Sequence, residues 1–178
     1  IGSLRKPQIE NIKEFLKKEV IGNKCYAING FILLNDRNSL IIKTKKLKKS
    51  VPLELKIGYN YNFDDYVYKV SEYGKNVRFS KNSDDELIDL AAIKNKKLVL
   101  RYWCSGDRFK PLGMNGTQKI SDYLINNKIN LFQKDEQTVI TADDQIIWVC
   151  GHRIDNSVKI NNSTENILKI SRKLKILG

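Results

Sequence analysis

The side chains best placed for chemistry are cations around a glycine-rich turn, and the chemistry they suit is anion binding. The turn is Gly113-Met114-Asn115-Gly116-Thr117, flanked by Lys110 and Lys119. Glycines ahead of a helix expose backbone N–H groups, and the helix dipole favours negative charge there. Gly113, Gly116 and Thr117 are therefore candidates for a phosphate loop, with Thr117 expected to cap the next helix. The competing reading is conformational: glycines adopt backbone angles that other residues refuse. Arg101, Arg108 and Arg153 lie in the same part of the chain. Lysine is used freely here and arginine sparingly, and arginine's planar fork matches phosphate and carboxylate alike. For Arg108 two partners stay open, a bound phosphate or Asp122. Arg101 and Arg153, on or beside strands, are expected to face outward. Lys128 and Lys159 are further candidates for phosphate contacts.

Catalytic constellations are not found. The patterns GxxxxGK[ST], GxSxG and HExxH do not occur. His152, the single histidine, stands beside Arg153 with no Cys or Ser partner in its sequence context, and reads as structural. Cys25, Cys104 and Cys150 are isolated, without a CxxC pair, which argues against a metal site and against a disulfide framework. Buried free thiols in a reducing cytoplasm are the expectation. No apolar run approaches the roughly 20 residues of a membrane helix, and no signal peptide is visible. The chain begins at Ile1 rather than Met, as a fragment or a trimmed chain would.

Composition agrees with anion binding. The chain has 178 residues and a formal charge of +12, a balance that points to nucleic acid or an anionic surface. Codon bias is the alternative source of so much lysine, since Asn and Ile are abundant too. With 41% hydrophobic residues the chain can bury a core.

The elements that must position these cations read as mostly strands. A helix opens at Lys6-Pro7 with Ile9, Ile12, Phe15, Leu16 and Val20 on one face, and Gly22 as its stop. Strands flank Asn29-Gly30, and a second turn at Asp36-Arg37-Asn38 leads to a third strand, Leu40 to Ile42. Five lysines between Lys43 and Lys49 read as a linker. Beyond it, Leu53 to Ile57, Tyr59 to Phe63 and Tyr66 to Val70 alternate as half-buried strands. Their tyrosines suit core packing better than base stacking. Ser80 to Glu86 reads as a loop, and Leu87 to Ile93 as a strand or helical turn. Leu98 to Trp103 alternates as a strand, and a short helix follows with Ile120, Tyr123 and Leu124 inward. Strands are expected at Thr138 to Ala142, Gln145 to Cys150, Val158 to Ile160 and Ile167 to Ile170, before a basic tail that frays. The fold class is mainly β with α (α+β), as a barrel or sandwich.

Three segments also carry a resemblance: GDRFKPLGMNGTQKISDYLINNKI, IIWVCGHRID and VKINNSTENILKI. In order and spacing, from about Leu98 to Ile170, they resemble the C-terminal region of bacterial tRNA(Ile)-lysidine synthases. Asn130 stands where that family often has proline, and Leu131 to Gln137 carries less arginine. The resemblance implies an ATP-dependent ligase that joins lysine to the wobble cytidine of the CAU anticodon of tRNA(Ile). ATP and magnesium would serve an N-terminal catalytic domain, whose Ser-Gly-Gly-x-Asp-Ser loop does not occur here. It implies that residues 1–46 end a middle substrate-recognition domain. Residues 50–173 would form a small C-terminal β-barrel, like one in the phenylalanyl-tRNA synthetase β subunit, with the motif core at 98–170. The implied partners are tRNA(Ile) and the chain's own catalytic domain. A dimerisation module is the alternative reading, with a homodimer as its partner call.

Overall fold

A computed structural model describes residues 5–17, 22, 24–26, 30–37, 39–44, 50–74, 78 and 80–175. The chain divides into two compact units, one of residues 1–49 with 128–135, the other of 50–127 with 136–178.

The first unit opens with α1 (Lys6–Lys17), which buries Phe15. Three short strands follow, β1 (Lys24–Tyr26), β2 (Phe31–Asp36) and β3 (Ser39–Thr44), antiparallel in the order β1-β2-β3. Gly30, at φ 79, and Arg37, at φ 53, take the left-handed conformations their turns require. Asn29, Val20 and lysines 45, 46, 48 and 49 lie outside the described residues. One helix was not expected: α3 (Leu131–Asp135) buries Phe132 in this unit. Asn130 caps it, its Oδ1 accepting from the Gln133 N–H at 3.0 Å, and Lys24 pairs with Asp135.

In the second unit two sheets share one core. The larger contains β4 (Leu53–Leu55), β8 (Leu98–Tyr102), β11 (Thr138–Ala142), β12 (Gln145–Val149) and β13 (Arg153–Ile154), in the order β13-β12-β11-β8-β4. The other contains β5 (Asn60–Phe63), β6 (Tyr66–Tyr73), β7 (Asp85–Asp89) and β14 (Ile167–Leu174), in the order β5-β6-β14-β7. Leu100, Ile140 and Trp148 of one sheet pack with Tyr68, Ile88 and Leu168 of the other. The class is mainly β with few helices, as expected. Among the described residues the sheets remain two open layers, and no closed barrel forms. A two-stranded ribbon, β9 (Arg108–Phe109) with β10 (Gln118–Lys119), precedes α2 (Ile120–Asn126), which buries Ile120 and Leu124.

The structure departs from the sequence reading in three places, the first two through strand pairing and the third through a local cap. Asp85 and Glu86, read as loop, begin β7, because β14 supplies the ladder and Leu87 and Ile88 are buried. The basic tail does not fray: β14 runs on to Leu174 between β6 and β7. Val158 to Ile160 is not a strand. Asp155 accepts from the Ser157 N–H at 2.8 Å and caps a 3₁₀ turn over Asn156–Val158.

Candidate nucleic-acid interface

The glycine-rich turn has a conformational cause. The Met114 N–H donates to the Pro111 carbonyl at 2.9 Å, and Gly113 sits at φ 85. That is a β-turn needing a positive φ at its third position. Thr117 does not cap the helix. Gln118 and Lys119 pair with β9 first, Lys119 is the N-cap residue, and no side chain makes the capping bond. Gly113, Gly116 and Thr117 are exposed, but they do not lead into a helix N-terminus.

The ribbon brings two of the expected cations together. Lys119 stands directly opposite Arg108 in the β9–β10 register, and both are exposed. Neither has an acidic partner among the described residues. Arg108 does not pair with Asp122, which accepts instead from Ser121 Oγ at 3.1 Å. Two like charges facing across a strand pair repel each other, and an anion between them removes the penalty.

Asp155 anchors the ribbon, a role not visible in the sequence. This buried carboxylate accepts from the Lys110 N–H at 2.6 Å and the Ser157 Oγ at 2.6 Å. Leu112 donates to the Ile154 carbonyl at 3.0 Å, which lays the turn beside the β13 edge. Arg153, exposed on β13, donates to the Leu112 carbonyl at 3.1 Å. Lys110 is half-buried and Lys159 exposed. Lys128 belongs to the first unit, where its carbonyl accepts from Arg37 at 3.0 Å.

Arg101 departs from expectation. Its fork is taken by Asp107, at 2.8 and 3.0 Å, and Asp107 also accepts from the Cys104 N–H at 2.8 Å. This bidentate pair clamps the loop that leads into β9. Arg101→Ala is expected to cost about 2 kcal/mol, because it strands a half-buried carboxylate. Arg153→Ala, at an exposed position, is expected to change stability by less than about 0.5 kcal/mol. Urea unfolding of the two variants separates these outcomes. Equal losses would remove the distinction drawn between the two arginines.

Two titratable groups nearby are shifted by burial. Glu86 is pushed up to about 7, with Arg153 pulling the other way. Burial also holds His152 below the ordinary histidine value, and the Arg172 charge adds to this. His152 Nε2 lies 3.1 Å from Gln137 Oε1. Cys150 is buried, whereas Cys104 is exposed, contrary to expectation; the Cys25 side chain is outside the described residues. No helix among the described residues is long and apolar enough to cross a membrane.

The model of one domain family, the TilS substrate C-terminal domain, matches residues 98–172. Those residues hold the ribbon, its anchor and Arg153. Residues 98–172 belong to the TilS C-terminal domain family. Similar curated proteins are tRNA(Ile)-lysidine synthases. That of Parabacteroides distasonis is 31% identical over 150 residues, covering 83% of this chain and 34% of the relative. That of Clostridium perfringens is 30% identical over 173 residues, covering 89% and 36%. That of Bacteroides thetaiotaomicron is 28% identical over 145 residues, covering 82% and 32%. The chain thus spans about a third of the length of the relatives it matches. A crystal structure of a TilS C-terminal domain aligns with a TM-score of 0.62 at 21% identity, covering 70% of this chain and 96% of that one. At that identity the likeness speaks for the fold. Within the TilS domain, strand order and ribbon register decide which cations share a face.

Proposed function

We propose that this chain is the tRNA-gripping C-terminal part of a lysidine synthase. It holds tRNA(Ile) with the CAU anticodon so that a catalytic domain outside residues 1–178 joins lysine to the wobble cytidine. ATP and magnesium serve that catalytic domain, and the enzyme works in the cytoplasm. The observation that carries the reading is the exposed Arg108–Lys119 pair inside the matched domain. Arg153 beside the same turn extends the positive face. The wide minor groove of duplex RNA is recognised by shape, phosphate and 2′-hydroxyl, which such cations can engage without reading bases.

A dimerisation role is the second reading. Leu40 and Ile42, exposed on the edge strand β3, favour it.

Titration of the chain with a tRNA transcript at several salt concentrations tests the proposal. Affinity is expected to fall steeply and linearly on a log–log plot as salt rises. Absent binding at low salt, or a flat response with a concentration-dependent dimer in light scattering, rejects it in favour of the second reading.

A further inference from the structure

At the β4 edge, the opposite end of the strand order from β13, lies a cleft of about 490 Å³. It belongs wholly to the second unit and is bounded by residues 54–57 and by the stretch from Leu90 to Leu98. Leu55, Ile93 and Leu98, all at least nine-tenths buried, and the half-buried Leu90 make an apolar floor. Ile57 is 39% exposed beside it. Around the floor stand Lys56, Lys94, Lys96 and Lys97 against one carboxylate, Glu54. That carboxylate is committed: Glu54 pairs with Lys97 at 2.8 Å. Lys56 and Lys94 are exposed and form no ion pair among the described residues. Asn95, at φ 63, turns the chain through this lysine cluster.

An apolar floor with an excess of cations fits a ligand that is flat and apolar in one part and anionic in another. A nucleic acid with stacked, paired bases offers only the second part. An unpaired nucleotide offers both, a base with two apolar faces and a phosphate on each side. We propose that this cleft takes one unpaired nucleotide of the bound RNA, its base on the apolar floor and its phosphates on Lys56 and Lys94. The inference rests on the RNA-binding reading above and adds a site at the other edge of the sheet. RNA held at both edges is fixed in orientation, which a single patch of phosphate contacts does not achieve.

The test titrates the chain and its variants with three probes by fluorescence anisotropy: a tRNA transcript, a blunt-ended RNA duplex and a short single-stranded oligouridylate. Lys56→Ala/Lys94→Ala is expected to weaken oligouridylate binding about tenfold and to lower its salt slope by about 1.4, the yield of two single-strand phosphate contacts. Binding of the blunt duplex stays unchanged. Ile57→Asn weakens oligouridylate without altering the slope, because it removes a base contact and no charge. All three side chains are exposed, so the melting temperatures stay at the wild-type value. Equal losses on all three probes overturn the proposal, since they reveal a general field and no site. Unchanged oligouridylate binding overturns it too, and the tRNA reading survives if the transcript still binds. Displacement of oligouridylate by polyglutamate at matched charge also overturns it, because charge alone would then fill the cleft. A chain that binds none of the three probes rejects both this site and the RNA reading.

Discussion

Gly151→Ala is expected to destabilise the second unit by about 3 kcal/mol. Gly151 sits at φ 76, where any side chain meets strain. The space is also taken. An added Cβ would lie 1.7 Å from Arg172 Nη2 and 2.4 Å from its Cζ. A surface arginine would swing aside, but the guanidinium of this one is held at two points. Its Nε donates to Asp84 Oδ1 at 2.6 Å and it lies over the Tyr66 ring at 4.5 Å, while the Arg172 backbone N–H, donating to the Asp84 carbonyl at 2.9 Å, keeps Asp84 beside it. The backbone conformation accounts for about 1 kcal/mol of the loss. Displacing a mostly buried cation from its carboxylate accounts for the rest. Two comparisons isolate these parts. Gly106 has φ 93 and open space around it, so Gly106→Ala should lose only the backbone part, about 1 kcal/mol. In an Arg172→Met background, Gly151→Ala should lose about the same small amount, because the obstruction has gone. Urea midpoints of the four variants, with unchanged slopes, give the comparison. A full-size loss in the Arg172→Met background would show that the steric account is wrong.

The same contact shows what a sequence conceals. Alternation in Leu98–Tyr102 marked one strand of the larger sheet, because one of its faces is buried; Thr138–Ala142 and Gln145–Val149, buried almost throughout, stood out as short apolar and β-branched runs on either side of the Asp143-Asp144 turn. The apolar spacing of Ile120, Tyr123 and Leu124 marked α2 for the same reason. The ribbon strands are two residues each, too short for any period. Acidic β7 and basic β14 have compositions that suit loops and tails, yet each is a strand because its neighbours supply the ladder. Gly151 stands two residues beyond the end of β12. Its closeness to Arg172, across the packed sheets, follows from topology alone.

The candidate site divides in the same way. Residue types were legible: Arg108, Lys119 and Arg153, all close to the glycine turn, are exposed. Pairings were not. Arg101 and Arg108 are both arginines in the same stretch of sequence, yet Asp107 occupies the fork of the first and, among the described residues, nothing acidic meets the second. Sequence spacing cannot distinguish them, because the loop clamp and the ribbon register exist only after the chain has closed. Asp155 had a faint signal, an Asp followed by Asn-Ser, which is turn chemistry. Its bond to the Lys110 N–H, 45 residues away, had none.

That difference makes Arg108→Ala/Lys119→Ala the decisive variant for RNA binding. Two charge-assisted phosphate contacts at about 1 kcal/mol each correspond to roughly thirtyfold in tRNA affinity. If the phosphates belong to duplex RNA, the salt slope should fall by about 1.8. Stability should move the other way or not at all, because removing two facing like charges relieves a repulsion that the free protein carries. A structural pair behaves in reverse, as Arg101 and Asp107 should: truncation lowers the melting temperature, and any loss of binding follows from the loosened loop. Measuring both quantities on both variants therefore distinguishes a cation kept for a ligand from one kept for the fold. A ribbon variant that melts early while its remaining folded fraction binds tRNA with wild-type affinity and salt slope would move Arg108 and Lys119 into the second class. The positive face would then be left to Arg153 and its neighbours on the β13 edge.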